Sequence, residues 1–133
     1  MKILATAAVV LTIASPVFAG DADKGEKAFK KCKSCHMIKS DAGDDIVKGG
    51  KTGPNLYGII GRAAGAQDGF RYSSAIEEAA AAGLVWTEEG LAEFVQDPTA
   101  YLEANGGSGR SKMSFKLKKG GEDVAAYLAS VAE

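Results

Sequence analysis

Cys32-Lys33-Ser34-Cys35-His36 is the stretch of sequence around which this chain must fold. Two thiols followed by an imidazole, in this order, are what attachment of a c-type haem requires. The cysteines add across the two vinyl groups of the porphyrin, and the adjacent histidine supplies an axial nitrogen to the iron. Dithiol oxidoreductases and zinc sites also contain C-x-x-C pairs, so the abutting histidine is what favours haem. The motif predicts one covalently bound haem c per subunit.

Three other chemistries are open to the same residues. A zinc site would need carboxylate ligands, an unusual set, because Cys32 and Cys35 are the only cysteines and His36 is the only histidine. A redox dithiol normally lies near a strand-helix-strand pattern, whereas an amphipathic helical pattern precedes Cys32. A catalytic cysteine and histidine pair is disfavoured because residues adjacent in sequence rarely face each other as nucleophile and base. Haem is therefore the favoured interpretation.

The start of the chain has the pattern of a secretory signal. Met1-Lys2 is a short positive start, residues 3–13 are mostly apolar, and Val17 and Ala19 occupy the decisive positions of a small-residue cleavage site. The apolar run is shorter than the roughly 20 residues of a membrane span. We therefore expect residues 1–19 to be a cleaved signal peptide and residues 20–133 to form one domain in the periplasm. Export agrees with haem attachment, which takes place outside the cytoplasm in bacteria.

The rest of the sequence predicts a mainly α-helical fold. Its 17 glycines and its scarcity of alternating β-branched segments argue against an extensive sheet. Asp23 with Glu26, and Ser74 with Glu77, have the spacing of capping boxes. Helices are predicted in five places: from Asp23 into the haem motif, over residues 74–82, after Thr87, from Pro98 to about Glu103, and after Gly120-Gly121. Glycine-rich loops over residues 42–53, 61–69 and 105–109 complete a shell wrapped around the cofactor.

A second axial ligand has to come from elsewhere in the chain. Met1 leaves with the predicted signal, and Met37 adjoins His36, from where it cannot readily reach the opposite haem face. Met113 remains, in the polar loop of residues 110–115. A lone methionine is more often core filler, but this loop has no helical stripe for it to join, which favours a ligand. Methionine opposite histidine leaves no open coordination site, so electron transfer is favoured over oxygen, peroxide or gas chemistry.

Segments along nearly all of residues 20–133 resemble the class I c-type cytochromes, most closely the bacterial periplasmic cytochrome c2 type. These segments are Lys24-Gly25-Glu26, Lys51-Thr52-Gly53-Pro54-Asn55-Leu56-Tyr57-Gly58, Gly61-Arg62, Phe70-Arg71-Tyr72, Trp86-Thr87-Glu88-Glu89, Ser111-Lys112-Met113-Ser114-Phe115 and Gly121-Glu122-Asp123-Val124-Ala125-Ala126-Tyr127-Leu128. The resemblance implies a small single-domain class I cytochrome c fold with one haem c and Met113 as sixth ligand. It also implies a soluble electron carrier, not an enzyme, running between a cytochrome bc complex and a photosynthetic reaction centre or a cytochrome c oxidase.

The resemblance further assigns roles around the haem. The Pro54 carbonyl is expected to accept a hydrogen bond from the His36 ring, which orients the imidazole. Arg62, Tyr72 and Trp86 match residues that hold the haem propionates, whose buried carboxylates need donors. Without the family, the two aromatic residues would be interpreted as core and Arg62 as a surface charge.

One position departs from the family pattern. Many members have a tyrosine, on the helix before the methionine loop, whose hydroxyl donates to the ligand sulfur, and Phe94 stands at the matching position. We expect the missing hydroxyl to alter the iron-sulfur bond and to shift the reduction potential. Four matched positions are assigned to the crossing of the first and last helices rather than to function: Gly25, Phe29, Val124 and Tyr127.

Positive charge is concentrated next to the two predicted axial ligands, although the formal net charge of the chain is only -1. Residues 68–103 hold eight acidic side chains against Arg71 alone. Lysines near the ligands are predicted to dock transiently onto an acidic membrane-bound partner. They are Lys30, Lys31, Lys33, Lys51, Lys112, Lys116, Lys118 and Lys119. The chain is expected to be a monomer, and nucleic-acid binding has little support.

Two alternative functions stay open from the sequence. A labile Met113 would free a coordination position and make the chain a haem enzyme or a gas sensor. The chain could instead be a tightly bound electron-entry subunit of a larger oxidoreductase.

Overall fold

Five α-helices and one short hairpin form the part of the chain that the computed structural model describes, residues 20–133. The elements are α1 (Ala22–Ala28), continued by a 3-10 helix (Phe29–Lys31), β1 (Ile38–Lys39), β2 (Asp45–Val47), α2 (Ser74–Ala81), α3 (Glu88–Gln96), α4 (Pro98–Ala104) and α5 (Gly121–Val131). The mainly helical fold was predicted from the sequence. The predicted signal peptide, residues 1–19, lies outside the described residues.

Side-chain caps fix where the first three helices begin. Asp21 caps α1, and Ser73 caps α2, by accepting hydrogen bonds from backbone N–H groups three residues on, at 3.1 and 3.2 Å. The predictions of Asp23 and Ser74 as the capping residues were therefore wrong. A capping residue needs an extended backbone, which Asp21 and Ser73 have, whereas Asp23 and Ser74 already lie inside their helices. Thr87 caps α3 as predicted, at 2.9 Å from the Gly90 nitrogen.

A single residue separates α3 from α4. Asp97 has an extended backbone, with φ -156° and ψ 90°, so it ends α3 and at the same time caps α4 through the Ala100 N–H. Pro98 follows at the first helical position, where a backbone N–H would have no partner within the helix, so its absence costs no hydrogen bond. The face of α3 that contains Phe94 and Val95 is buried.

The first and last helices cross at a glycine. A Cβ atom at Gly25 would collide with the Asp123 carbonyl oxygen of α5, so only glycine allows the two backbones to come this close. Next to the crossing, the Phe29 and Tyr127 rings pack with their centroids 5.8 Å apart. The predicted contact between the ends of the domain is thus confirmed by the packing, and it places the haem motif directly after a fixed helix.

The segment after the motif contains the hairpin, which the sequence did not predict. Within the predicted loop of residues 42–53, β2 pairs antiparallel with β1, and Ile38 lies opposite Val47. Ile38 is fully buried and so holds the hairpin against the core. Two strands this short have no clear period-2 pattern, which explains why the sequence indicated only a loop.

Candidate functional site

A cavity of about 300 Å³ lies between the haem motif and the loop that contains Met113. Its wall is mostly apolar and includes side chains from α2, α3 and the loops between the motif and α2. Of the eight residues predicted to attach, ligate or surround the haem, all but Cys32 line it: Cys35, His36, Pro54, Arg62, Tyr72, Trp86 and Met113. Segments far apart in sequence are thereby brought to one site.

The haem motif itself forms a tight turn. The 3-10 helix ends at Lys31, with Cys32 as its C-terminal cap. The backbone N–H groups of Cys35 and His36 both donate to the Cys32 carbonyl, at 3.1 and 3.0 Å. Cys32 packs against the core, and Cys35 lies at the exposed rim of the cavity. Burial raises the pKa of the Cys32 thiol, the nearby Cys35 raises it further, and Lys31 opposes both.

The His36 imidazole is held in one orientation. Its Nδ1 lies 2.8 Å from the Pro54 carbonyl oxygen, the contact that the family resemblance implied. Because a carbonyl only accepts, Nδ1 carries the proton and Nε2 keeps the free lone pair that a metal needs. Burial lowers the pKa of the ring, and the Pro54 hydrogen bond partly opposes that shift. The neutral, ligating form of His36 is therefore favoured.

Three glycines in the loop after the hairpin fit closely around the motif, a role that was not predicted for them. A Cβ atom at Gly49 or Gly50 would collide with the carbonyl oxygens of His36 or Ser34, and one at Gly53 would enter the imidazole ring. The N–H groups of Gly50 and Gly53 also donate to carbonyls of the motif, at 2.9 and 2.8 Å. Their close spacing in Gly49-Gly50-Lys51-Thr52-Gly53 was the available indication of a backbone packed against another segment.

Met113 is half-buried in the wall of the cavity. Its N–H donates to the Ser111 hydroxyl at 3.1 Å, and the Ser111 N–H donates to the Thr99 hydroxyl of α4, also at 3.1 Å. Met37, the other methionine of the described residues, does not line this cavity and borders a separate hollow beside the hairpin. The geometry thus agrees with the choice of Met113 as candidate ligand.

The three residues predicted to contact the propionates are found at the cavity in different settings. Arg62 donates through its guanidinium to the Tyr57 carbonyl, and the Tyr72 hydroxyl accepts from the Gln67 N–H at 3.1 Å. Both groups keep further donor capacity for a carboxylate. Trp86 is only 5% exposed, so its ring is also part of the hydrophobic core.

Phe94 occupies the position where a tyrosine was expected from the family. Its buried ring lines the cavity and packs edge-on against Trp86, with the centroids 4.8 Å apart. The Tyr101 ring stacks on Trp86, with the two ring centroids 6.1 Å apart. The Phe94 side chain has no hydroxyl for a ligand sulfur, as the sequence indicated.

Two of the eight predicted docking lysines are held by the protein itself. Lys112 Nζ donates to the carbonyls of Arg71 and Tyr72 at 3.1 and 3.2 Å, and Lys116 Nζ lies 3.3 Å from an Asp97 carboxylate oxygen. Within residues 20–133 the other six ammonium groups form no ion pair or hydrogen bond. These six are exposed: Lys30, Lys31, Lys33, Lys51, Lys118 and Lys119.

The donor set of the cavity fits haem c. Thiols, an imidazole with its second nitrogen already bonded, and a thioether are what attachment and axial ligation require. The mostly apolar wall of the cavity suits the faces of a flat macrocycle. In the described part of the chain, no cluster of histidine, cysteine, aspartate and glutamate side chains forms an alternative metal site.

The comparisons with known proteins agree with one another. Cytochrome c-551 of Roseobacter denitrificans is 58% identical over 133 residues, covering 96% of this chain and 95% of the relative. Cytochrome c2 of Rhodobacter capsulatus is 56% identical and covers 100% of both chains. The crystal structure of cytochrome c2 from Rhodobacter capsulatus superposes with a TM-score of 0.83 at 54% identity, covering 86% of this chain and 100% of that chain. No model of a protein family matches the chain.

None of the helices in residues 20–133 combines the length and the apolar character needed to cross a membrane. The relatives carry covalently bound haem c and transfer electrons. A bound haem c accounts for both the haem motif and the cavity. The chain belongs to the class I c-type cytochromes of the bacterial cytochrome c2 type, which are electron-transfer proteins rather than enzymes.

Proposed function

We propose that this cytochrome is a soluble periplasmic carrier of single electrons from a cytochrome bc complex to a photosynthetic reaction centre or a cytochrome c oxidase. Cys32 and Cys35 attach the haem, His36 and Met113 are the two axial ligands, and residues 1–19 are a cleaved signal peptide. The observation that carries the proposal is that His36 and Met113, from two distant segments, line one apolar cavity.

The side chains around the cavity suit electron transfer in which no covalent bond to a substrate is formed. Haem iron supplies the chemistry when bound, because it gains and loses one electron. The Pro54 hydrogen bond keeps the His36 ring in place, and the Met113 sulfur is a soft ligand that favours the reduced state. Apolar side chains exclude water, and Arg62 and Tyr72 are the donors for the propionates. With His36 and Met113 both bound to it, the iron would offer no free coordination position to a substrate.

A pair of methionine variants tests the axial ligand. In ferric holoprotein, Met113→Leu is expected to abolish the weak sulfur-to-iron charge-transfer band and to allow rapid cyanide binding at neutral pH. Met37→Leu is the matched control, because Met37 lies outside the cavity, and it should resemble the wild type. The ligand assignment is wrong if Met113→Leu keeps the band, or if the wild type already binds cyanide rapidly.

The partner is proposed from the resemblance and from the exposed lysines beside the motif and after Met113. Electrostatic steering mainly accelerates association and is weakened by salt. Stopped-flow oxidation by a reaction centre or an oxidase is therefore expected to slow as the ionic strength rises. At low ionic strength, Lys33→Gln should lower the rate severalfold more than Lys39→Gln. Lys39 is a suitable control because it already pairs with Asp45. Equal effects of the two variants, or a rate indifferent to salt, would contradict the docking proposal.

A further inference from the structure

Glu78 on α2 is hydrogen-bonded to the loop that leads to Met113. Both the N–H and the hydroxyl of Ser108 donate to one carboxylate oxygen of Glu78, each at 2.6 Å. Bonds of this length to an ionised acceptor are charge-assisted and are stronger than neutral ones. The neighbouring Glu77 is exposed and makes no such contact among the described residues. Glu78 therefore differs from an ordinary solvated helix residue.

The loop before Ser108 lies flat on α2. A Cβ atom at Gly107 would collide with the Ala75 carbonyl of α2, and one at Gly106 would come within 2.8 Å of Ala82 Cβ. The Gly107 N–H donates to the Leu102 carbonyl at 2.8 Å, which keeps the turn close to the end of α4. Ser108 thus leaves the surface of α2 at a defined point, and Glu78 holds it there.

From Ser108 the chain runs through two more attachments to the candidate ligand. Ser111 is bonded to Thr99 of α4, and Met113 is bonded to Ser111. Beyond Met113, the Leu117 N–H donates to the Val95 carbonyl of α3 at 2.7 Å. The segment between Ser108 and Leu117 is therefore held at both ends and also in between, through Ser111, Lys112 and Lys116. Its glycine-rich entry, residues 105–109, has Glu78 as its only charged anchor within residues 20–133.

We propose that Glu78 is a positioning residue for Met113, although it does not reach the cavity. Releasing Ser108 would free the glycine-rich entry of the methionine loop, so the Met113 side chain would leave the metal more often. The inference rests on the proposed role of Met113 as axial ligand. Because the two hydrogen bonds are exposed to solvent, their effect is expected to be moderate.

The test compares Glu78→Ala with Glu77→Ala in ferric holoprotein, two alanine substitutions of adjacent acids on one helix. Imidazole is added at saturating concentration, so that the rate of its binding is limited by departure of the Met113 sulfur. Glu78→Ala is expected to raise this limiting rate about threefold to tenfold, tenfold being ~1.4 kcal/mol. Glu77→Ala should leave it unchanged. Hydrogen exchange of the Ser108 amide should accelerate in Glu78→Ala alone.

Two conservative variants keep the test informative if Glu78→Ala folds poorly. Glu78→Gln retains an acceptor oxygen without the charge, so its limiting rate should lie between the wild type and Glu78→Ala. Ser108→Ala removes one of the two bonds and should add nothing in a Glu78→Ala background.

The outcomes separate the inference from the proposed function. If wild-type ferric protein lacks the sulfur-to-iron charge-transfer band, the ligand assignment of Met113 fails, whatever Glu78 does. If the band is present but Glu78→Ala and Glu77→Ala bind imidazole at the same rate, the role of Glu78 is refuted while the ligand assignment stands.

Discussion

Gly53→Ala is expected to displace the His36 imidazole. The Gly53 backbone lies outside the left-handed region, so only space opposes a side chain there. An alanine Cβ would lie 2.6 Å from Nδ1 and 2.8 Å from Nε2 of the ring, whereas unstrained heavy atoms are about 3.5 Å apart. The ring must therefore move by about 1 Å, which stretches its 2.8 Å hydrogen bond to Pro54 beyond useful length.

The loss of stability follows from these two effects. A lost hydrogen bond costs about 0.5–1.5 kcal/mol and overpacking about 1–3 kcal/mol, so together we expect about 2–4 kcal/mol. Unfolding of the ferric holoprotein in guanidinium chloride measures the change, and proton NMR signals of the His36 ring report its movement. Gly69→Ala shows the cost of backbone strain without a clash, because its Cβ meets nothing within 4 Å while φ is +74°. A Gly53→Ala protein with the stability of the wild type and unmoved ring signals would refute the reasoning.

Three further perturbations test the fold and its electrostatics. Gly25→Ala should destabilise by about 1–3 kcal/mol in denaturant unfolding, because overpacking at the α1–α5 crossing outweighs the roughly 1 kcal/mol gained in helix propensity. Leu102→Ala, at a fully buried position, should lose about 2–5 kcal/mol in the same assay. The pKa of Asp97 is lowered by its hydrogen bond from the Ala100 N–H and by Lys116. Ionised Asp97 thus stabilises the fold above the unfolded-state pKa, and this contribution is lost as the pH falls through the lowered folded-state value. Below about pH 3.9, the thermal midpoint of wild type should fall more steeply than that of Asp97→Asn; parallel curves would contradict this.

The chemistry of the site was predictable because its residues are rare in this chain. One histidine, two cysteines and one eligible methionine leave few combinations, and the structure brings His36, Cys35 and Met113 to one cavity. Local signals were equally informative at Thr87 and Pro98, where capping and backbone restriction act within a few residues. Asp21 and Ser73 were missed because a capping residue is defined by its extended backbone, and neighbouring polar residues offer the same side-chain chemistry.

Contacts between distant segments were not predictable from local patterns. The glycine loop fits around His36 only because the chain reverses after the hairpin, and Ser108 meets Glu78 across 30 residues of sequence. Lys112 and Lys116 were expected to project toward a partner, yet their ammonium groups are bonded within the protein. Periodicity and composition indicate which side chains are exposed, but not which of the exposed side chains form hydrogen bonds or ion pairs with other parts of the chain.

The crossing of α1 and α5 also has a consequence for biosynthesis. Protein chains are made from the N-terminus, so α1 and the haem motif emerge long before the partner helix at residues 121–131 exists. Closing a loop this long is entropically unfavourable and slow. Until α5 has folded, the helix before the motif therefore lacks the surface that fixes it in the finished domain. A haem attached during that interval would already lie within the folding chain when α5 packs against α1.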